Sequence, residues 1–350
     1  MAGVGTSPFR TDNLTAMAQR SKRPPGMMAV ARLAGVSHQT VSRVLNQPET
    51  VRPVTQEKVL AAMRELGYSR NLAARSLVTQ QTSLLGVVWT GAHFLGPSST
   101  VGGIEVAARA AGYSTLVGAL EEFDEDEVAD LFRIFRDRGV EGLAVVAPYE
   151  RVEELARRGA AGIPTVLVAD VGPHPDFHVA SVDQELGGRL ATGHMVERGC
   201  RRILHISGPL DWFDAQARAR GWQRTLEEAG LEVLPVMEGD WSPDSGYALG
   251  QELLATAELP DGIFCGNDGM AVGLLAALRG AGVDVPGRVS VVGFDDLAGA
   301  KYYSPPLTTV AQPFQKLGSV ALELLVRAIG GEAPTVERLT PELRVRASVR

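Results

Sequence analysis

Cysteine is nearly missing: Cys200 and Cys265 are the only two in 350 residues. They form no metal-ligand pair, and nothing in their spacing suggests a disulfide scaffold. Long hydrophobic runs are missing too. No apolar stretch reaches the about 18–20 residues that a bilayer span requires. The first residues lack the charged, apolar and cleavage-site order of a secretory signal, so no membrane partner is expected and the cytoplasm is the expected location. There is no GxxxxGK[ST] loop, which leaves "GPSSTVGG" without that phosphate-binding role. The six histidines show no metal-ligand spacing, and nothing places a nucleophile beside a base. No catalytic residue, metal or cofactor is expected, and the chain is not read as an enzyme.

A surplus of positive charge is also lacking overall, since the formal net charge is −7. That alone argues against nucleic acid, but the distribution of the charges points the other way. Residues 1–80 carry 11 Lys/Arg against 4 Asp/Glu, whereas the remaining residues carry 23 against 37. A basic head on an acidic body is the asymmetry expected when one small domain approaches phosphates.

Within that head, "AGVSHQTVSRVLNQ" reads as a short amphipathic helix. Val36, Val41, Val44 and Leu45 supply its buried side. Ser37, His38, Gln39, Ser42, Arg43 and Asn46 supply the other. Amide, imidazole and guanidinium groups suit hydrogen bonding to base edges, while an ordinary solvated helix more often pairs Glu with Lys at i, i+4. A helix over 27–34 precedes it, with a turn at Gly35 before the second helix over 37–45. "PVTQEKVLAAMRELGY" has helical spacing and a stop at Gly67. Two helices joined by a tight turn and braced by a third form a helix-turn-helix. Residues 1–25, rich in Ser, Pro, Gly and Arg without periodicity, read as a disordered extension. "NLAARSLVTQ", residues 71–80, suits one or two helical turns without a core of its own.

Beyond the head the pattern becomes strand–helix alternation. Apolar strands "SLLGVVWT", "STLVGAL", "GLAVVAP", "PTVLVAD", "RILHISG", "DGIFCGND" and "VSVVGFDD" alternate with helical segments at 100–111, 127–138, 185–198, 215–229, 244–257 and 269–281. Such alternation predicts an α/β fold of parallel sheets with right-handed crossovers, and the strand count suits two doubly wound lobes. A ligand would sit at the carboxyl ends of the strands, between the lobes. Those ends deliver Thr90, Asp170, Asn267, Asp268, Asp295 and Asp296, a set of carboxylates and amides fitting a polyhydroxylated ligand. Trp212, Trp222 and Trp241 are available to pack on a pyranose face.

The segment "AGVSHQTVSRVLN" and the later "GPL…ARARGW", "EGDWSPDSG", "CGNDGMAVG", "SVVGFDD" and "PPLTTVAQPF" resemble the LacI/GalR family of transcription regulators. The resemblance is closest to its lactose repressor branch and spans nearly all of residues 27–350. It implies an N-terminal helix-turn-helix DNA-binding domain (26–70), a hinge helix and linker (71–82), and a periplasmic-binding-protein-like core (83–350). Lobe 1 of that core would comprise about 83–183 and 312–338, and lobe 2 about 184–311 and 339–350.

By matching position, the resemblance implies that His38, Gln39 and Arg43 read bases in the major groove. Ser37, Thr40, Ser42 and Asn46 would contact phosphates or finish helix ends. Asn71, Ala74 and Leu77 match the minor-groove hinge segment, with Leu77 as the apolar wedge. In the core, Asp170, Arg218, Asn267 and Asp295 would take sugar hydroxyls. Trp241, Phe314 and Phe94 would form apolar walls, Thr90 a strand-end contact, and Gln312 would lie near the lobe crossover. Thr90, Phe94, Gly96, Val182 and Asp214 are the positions at which one sugar would be told from another.

Three departures from the family pattern stand out. Gly26 and Ala29 replace the usual Thr or Ser and Asp at the start of the first helix, a cap weaker by a few tenths to about 1 kcal/mol. His38 stands where the lactose branch has tyrosine. No leucine-repeat tail follows "PELRVRASV", so a homodimer is expected rather than a tetramer.

The implied function is repression of carbohydrate-utilisation genes, released from a palindromic operator by a mono- or disaccharide inducer, galactosides being favoured. Bound to its operator the protein would be nucleoid-associated. Other readings stay open: a purine-responsive regulator of the same family, or a sugar-binding protein without a DNA role. Arg220 competes with Arg218, Asp295 also suits capping the turn after its strand, and Trp241 and Leu77 also suit structural packing.

Overall fold

The structure, a computed structural model, describes residues 25–68, 81–90, 95–120, 125–146 and 151–350, apart from 152, 153, 155, 158, 159, 161 and 257. The expectation for residues 1–24 lies outside them, as do the hinge residues Asn71, Ala74 and Leu77 and the wall residue Phe94. Chain contacts divide the protein into Met1–Gln80 and Gln81–Arg350.

In the first unit, α1 (Met27–Ala34), α2 (His38–Asn46) and α3 (Pro53–Leu66) pack around a small core. Val30, Ala31, Val41, Val44, Val59 and Ala62 form it, with Val36 and Leu45 packed against it. Gly35 makes the turn between α1 and α2 at φ +66°, a left-handed conformation that costs glycine no Cβ clash. Gly26 caps α1 without a side-chain bond, as its lack of an oxygen requires. Ser37 caps α2 by accepting from the Thr40 amide at 3.1 Å. A 3-10 turn at Pro48–Thr50, absent from the expected elements, leads towards α3.

The second unit holds two six-stranded sheets. The first contains β1 (Leu84–Thr90), β2 (Ser114–Leu120), β3 (Gly142–Val146), β4 (Thr165–Val168), β5 (His178–Val182) and β11 (Val336–Leu339), in the order β11-β5-β4-β3-β1-β2. All its pairs are parallel. The second contains β6 (Ile203–Ser207), β7 (Met237–Glu238), β8 (Gly262–Cys265), β9 (Ser290–Asp295), β10 (Thr308–Ala311) and β12 (Glu342–Arg344), in the order β12-β10-β9-β8-β6-β7. It is parallel except for β12, which pairs antiparallel with β10 at the edge.

Helices α4 (Leu95–Ala110), α5 (Glu125–Asp137) and α10 (Phe314–Ile329) accompany the first sheet. Helices α6 (Gln184–Glu197), α7 (Phe213–Glu228), α8 (Pro243–Leu254) and α9 (Asp268–Gly280) belong with the second. Each sheet is apolar on both faces, because successive residues point opposite ways and both faces are covered. Val291 joins one core cluster and Val292 the other; Val166 and Leu167 divide the same way in the first sheet.

Helix α4 is described from Leu95 rather than from near 100, with Pro97 near the start of its described residues. Strands β5, β7, β10 and β11 and helix α10 fall outside the expected segments. The four strands are only two to five residues long. The chain passes between the sheets three times, from β5 to α6, from β10 to α10 and from β11 to β12.

Candidate DNA-reading helix and effector cavity

The candidate reading helix α2 buries Val41 and Val44 and leaves His38, Gln39, Arg43 and Asn46 exposed. Nine residues suffice, because the apolar spacing anchors one side and frees the other. Four polar groups are partly committed at the helix and its cap. Ser37 Oγ and Thr40 Oγ1 lie 2.9 Å apart, and the Asn46 amide donates to Ser42 Oγ at 3.3 Å. His38, Gln39 and Arg43 remain the side chains presented outward.

A cavity of about 530 Å³ lies in the second unit. Its lining includes Asp170, Arg218, Trp241, Asn267, Asp295, Gln312 and Phe314, all expected from the sequence. Gly96, Val182 and Asp214 are there as well. Thr90 is not among the described lining residues: it ends β1 opposite Leu120 and is 4% exposed.

Arg218 sits on α7, buried, and organises the wall. Its Nε donates to Gln184 Oε1 at 2.9 Å and its Nη1 to the Gly266 carbonyl at 2.6 Å. Its Nη2 lies 3.8 Å from Asp214 and 4.0 Å from Asp295. The guanidinium also stacks 3.9 Å from the centre of the Phe294 ring. Arg220, the neighbouring candidate, turns outward to a surface pair with Glu185 at 3.5 Å. Helix periodicity separates the two, since residues two apart face different sides.

Gln184 was not expected, yet it is 3% exposed and ties the crossovers together. Its Nε2 donates to Gln312 Oε1 at 2.7 Å, and Gln312 Nε2 donates to Asp295 Oδ1 at 2.6 Å. Arg218, Gln184, Gln312 and Asp295 thus form a closed polar ring. Gln184 follows β5 and Gln312 follows β10, so the ring joins two of the three passages between the sheets. The only sequence signal was position: Gln184 opens α6 directly after its cap, Asp183.

Asp170 is held differently from the expectation. Its carboxylate accepts from Arg338 and, at 3.3 Å, from the Gln184 amide N–H. Arg338, on β11, also reaches Asp183 at 3.8 Å. Asn267 lines the cavity, but its amide is engaged at both ends. The oxygen caps α9 by accepting from Met270 N–H at 2.8 Å, and the nitrogen donates to the Trp241 carbonyl at 2.9 Å. It positions Trp241 as well as walling the cavity. Trp241 packs edge-on against Trp212, with ring centres 5.5 Å apart and planes at 64°. Trp241 and Asp295 hold left-handed backbone conformations, φ +70° and +101°. Strained non-glycine residues persist where the surroundings over-determine them, and here both line the cavity. Asp268, by contrast, is fully buried and structural, accepting from Thr309 at 2.6 Å and from Leu297 N–H at 2.8 Å.

Burial pushes the Asp214 and Asp295 carboxyls up to about 6, with Arg218 pulling the other way. Burial likewise raises Asp170 against the pull of Arg338. For Asp214, the folded chain holds a proton that the unfolded chain releases from pH 3.8, so ionising it lowers stability between pH 3.8 and about 6. Because the side chain is 28% exposed, the effect is modest. Asp214→Asn should match the wild type in melting temperature below pH 4. It should exceed the wild type by the equivalent of about 1 kcal/mol above pH 6. A difference that stays flat from pH 4 to 7.5 in thermal melts would remove Asp214 from this role.

Among the described residues no three His, Cys, Asp or Glu side chains are grouped to hold a metal. No described helix is long and apolar enough to cross a membrane.

A profile of the lacI family of bacterial regulatory proteins matches residues 27–71, covering the three head helices. A periplasmic binding protein-like domain matches residues 192–349. The transcriptional repressor PurR of Haemophilus influenzae (strain Rd) is 34% identical over 328 residues, 92% of this chain and 97% of that protein. The chain belongs to the LacI family.

Two further repressors of the family, both from Escherichia coli K12, are as similar. The lactose operon repressor is 33% identical (91% of this chain, 89% of that one), and the ribose operon repressor is 35% identical over 92% of this chain and 99% of that one. Among solved structures, the lac repressor dimer bound to operator and an anti-inducer matches with TM-score 0.84 and 31% identity, covering 93% of this chain and 99% of that one. A complex of the regulator CelR with cellobiose matches with TM-score 0.71 and 32% identity, at the same coverage. The identities to the three repressors, 34%, 33% and 35%, are nearly equal.

Proposed function

We propose that this LacI-family chain represses carbohydrate-utilisation genes and leaves its operator when a sugar enters the Arg218 cavity. The family membership makes it a DNA-binding transcriptional repressor and not an enzyme. The sugar is the finer reading, and one observation carries it. Arg218 stands between Asp214 and Asp295 beside the Trp212–Trp241 pair. A hydroxyl both donates and accepts, so neighbouring carboxylates and guanidinium suit a row of them, while an indole face suits the C–H face of a pyranose. The cavity volume, about 530 Å³, leaves room for a mono- or disaccharide.

The PurR repressors among its relatives favour a second reading, a purine effector. A flat base is held best between two parallel faces. Trp212 and Trp241 are set at 64° to each other and so do not form such a pair of parallel faces. A thermal-shift screen with sugars and purine bases separates the two, since a ligand that binds only the native state raises the melting temperature. Stabilisation by purines alone would remove the sugar reading.

The protein acts as a homodimer in the cytoplasm, two heads meeting the two halves of a palindrome. Arg43→Ala should weaken specific operator binding by about 1–3 kcal/mol and largely spare random DNA, as expected for bidentate contact with a guanine. Gel shifts on operator and scrambled duplexes check this. Equal loss on both would make Arg43 a phosphate contact.

A further inference from the structure

We propose that Asp214 gives the effector cavity a surplus of negative charge and so reserves it for an uncharged ligand, excluding phosphorylated and carboxylated sugars. This deepens the effector reading above and rests on it.

The ionisable side chains among the described lining residues are Asp170, Asp214, Asp295 and Arg218. Asp170 is balanced from behind by Arg338, which also reaches Asp183. That leaves Arg218 facing two carboxylates at once, at 3.8 Å and 4.0 Å. Its Nη2 hydrogens remain free to meet a hydroxyl, but its charge is already shared between Asp214 and Asp295. A phosphate or carboxylate entering here brings another full negative charge to a wall with one cation and two anions, in a setting where charges interact more strongly than in water.

The helix starts at the cavity do not reverse this. Ser242 caps α8 by accepting from Ser245 N–H at 3.1 Å, and Asn267 caps α9, so their own side chains occupy those amides. The starts of α4, α7 and α10 also line the cavity, α7 and α10 without side-chain caps. That of α7 carries Asp214 itself in its first turn, and each of the other two supplies about half a positive charge, less than one carboxylate. Hydroxyl-bearing neutral ligands meet no such opposition. Each carboxylate accepts from them and each guanidinium hydrogen donates to them.

Asp214 is the residue that tips the balance. Without it Arg218 and Asp295 form a neutral pair. It lies one helical turn before Arg218 on α7, so its side chain is held on the same face as the guanidinium.

The test is isothermal titration of the full-length protein with matched pairs differing in charge. The sugar pairs are galactose with galacturonate, lactose and cellobiose with their 6-phosphates. The purine pair is inosine with inosine monophosphate. Within whichever pair binds, the neutral member should bind at least 100-fold more tightly than the anion. In Asp214→Asn and Asp214→Ser, each checked for folding by circular dichroism, that ratio should shrink at least tenfold. An anion binding as tightly as its neutral counterpart would overturn the inference, and so would an unchanged ratio in both folded variants. If the purine pair binds and the sugars do not, the sugar reading fails, yet the preference within the purine pair still decides the charge inference.

Discussion

Replacing Arg218 with lysine should leave operator binding intact and raise the sugar concentration needed for release at least about 100-fold. Lysine keeps the positive charge that balances Asp214 and Asp295, so no buried carboxylate is stranded and the fold survives. What it loses is the planar fork, which bonds Gln184 and Gly266 at 2.9 and 2.6 Å while facing the cavity. Hydrogen bonds to a charged group are worth about 1.5–3 kcal/mol each, and about 1.4 kcal/mol is a factor of ten. With the fork gone, losing two such bonds to the sugar gives the stated effect. A ligand moves a two-state equilibrium only through its different affinity for the two states, so weaker binding means weaker release. Fluorescence anisotropy on labelled operator, titrated with the inducing sugar, reads it directly. Release of the variant at the wild-type sugar concentration would take Arg218 out of effector binding.

Gly188→Ala should destabilise the core by about 1–3 kcal/mol and weaken the effector in the same protein. Helices α6 and α7 cross so closely that a Cβ on Gly188 would lie 2.4 Å from the Arg218 carbonyl oxygen. On the facing helix, a Cβ on Gly221 would lie 2.2 Å from the Glu185 carbonyl oxygen. Both obstacles are backbone, so relief requires the helices to separate, carrying Arg218 away from Gln184. Gly193, on the same helix as Gly188, is the control, because a Cβ there meets nothing within 4 Å. Alanine at that position should raise stability by up to about 1 kcal/mol through helix propensity. Paired thermal melts and sugar titrations check both. If Gly188→Ala melts with Gly193→Ala, the close crossing does not limit the core.

The amino-acid sequence by itself determined the head. Its contacts are local, and the spacing of Val41, Val44, Val59 and Ala62 together with the turn at Gly35 leaves one arrangement for three short helices. It also determined the strand–helix alternation, because strands buried on both faces read as continuous apolar runs. Motif position was enough to bring Arg218, Trp241, Asn267, Asp295, Gln312 and Phe314 to one cavity. Partnerships across the two sheets were decided only by the tertiary structure. Asp170 meets Arg338 across 168 residues, and Gln184 meets Gln312 across 128. No local periodicity encodes such contacts, since they depend on where separate strands end in a shared layer. The same cause turned Asn267 from a free amide into the cap of α9. Charge count behaves alike. Composition gives the number of acids, but only packing sets two of them against a single arginine in a buried cavity.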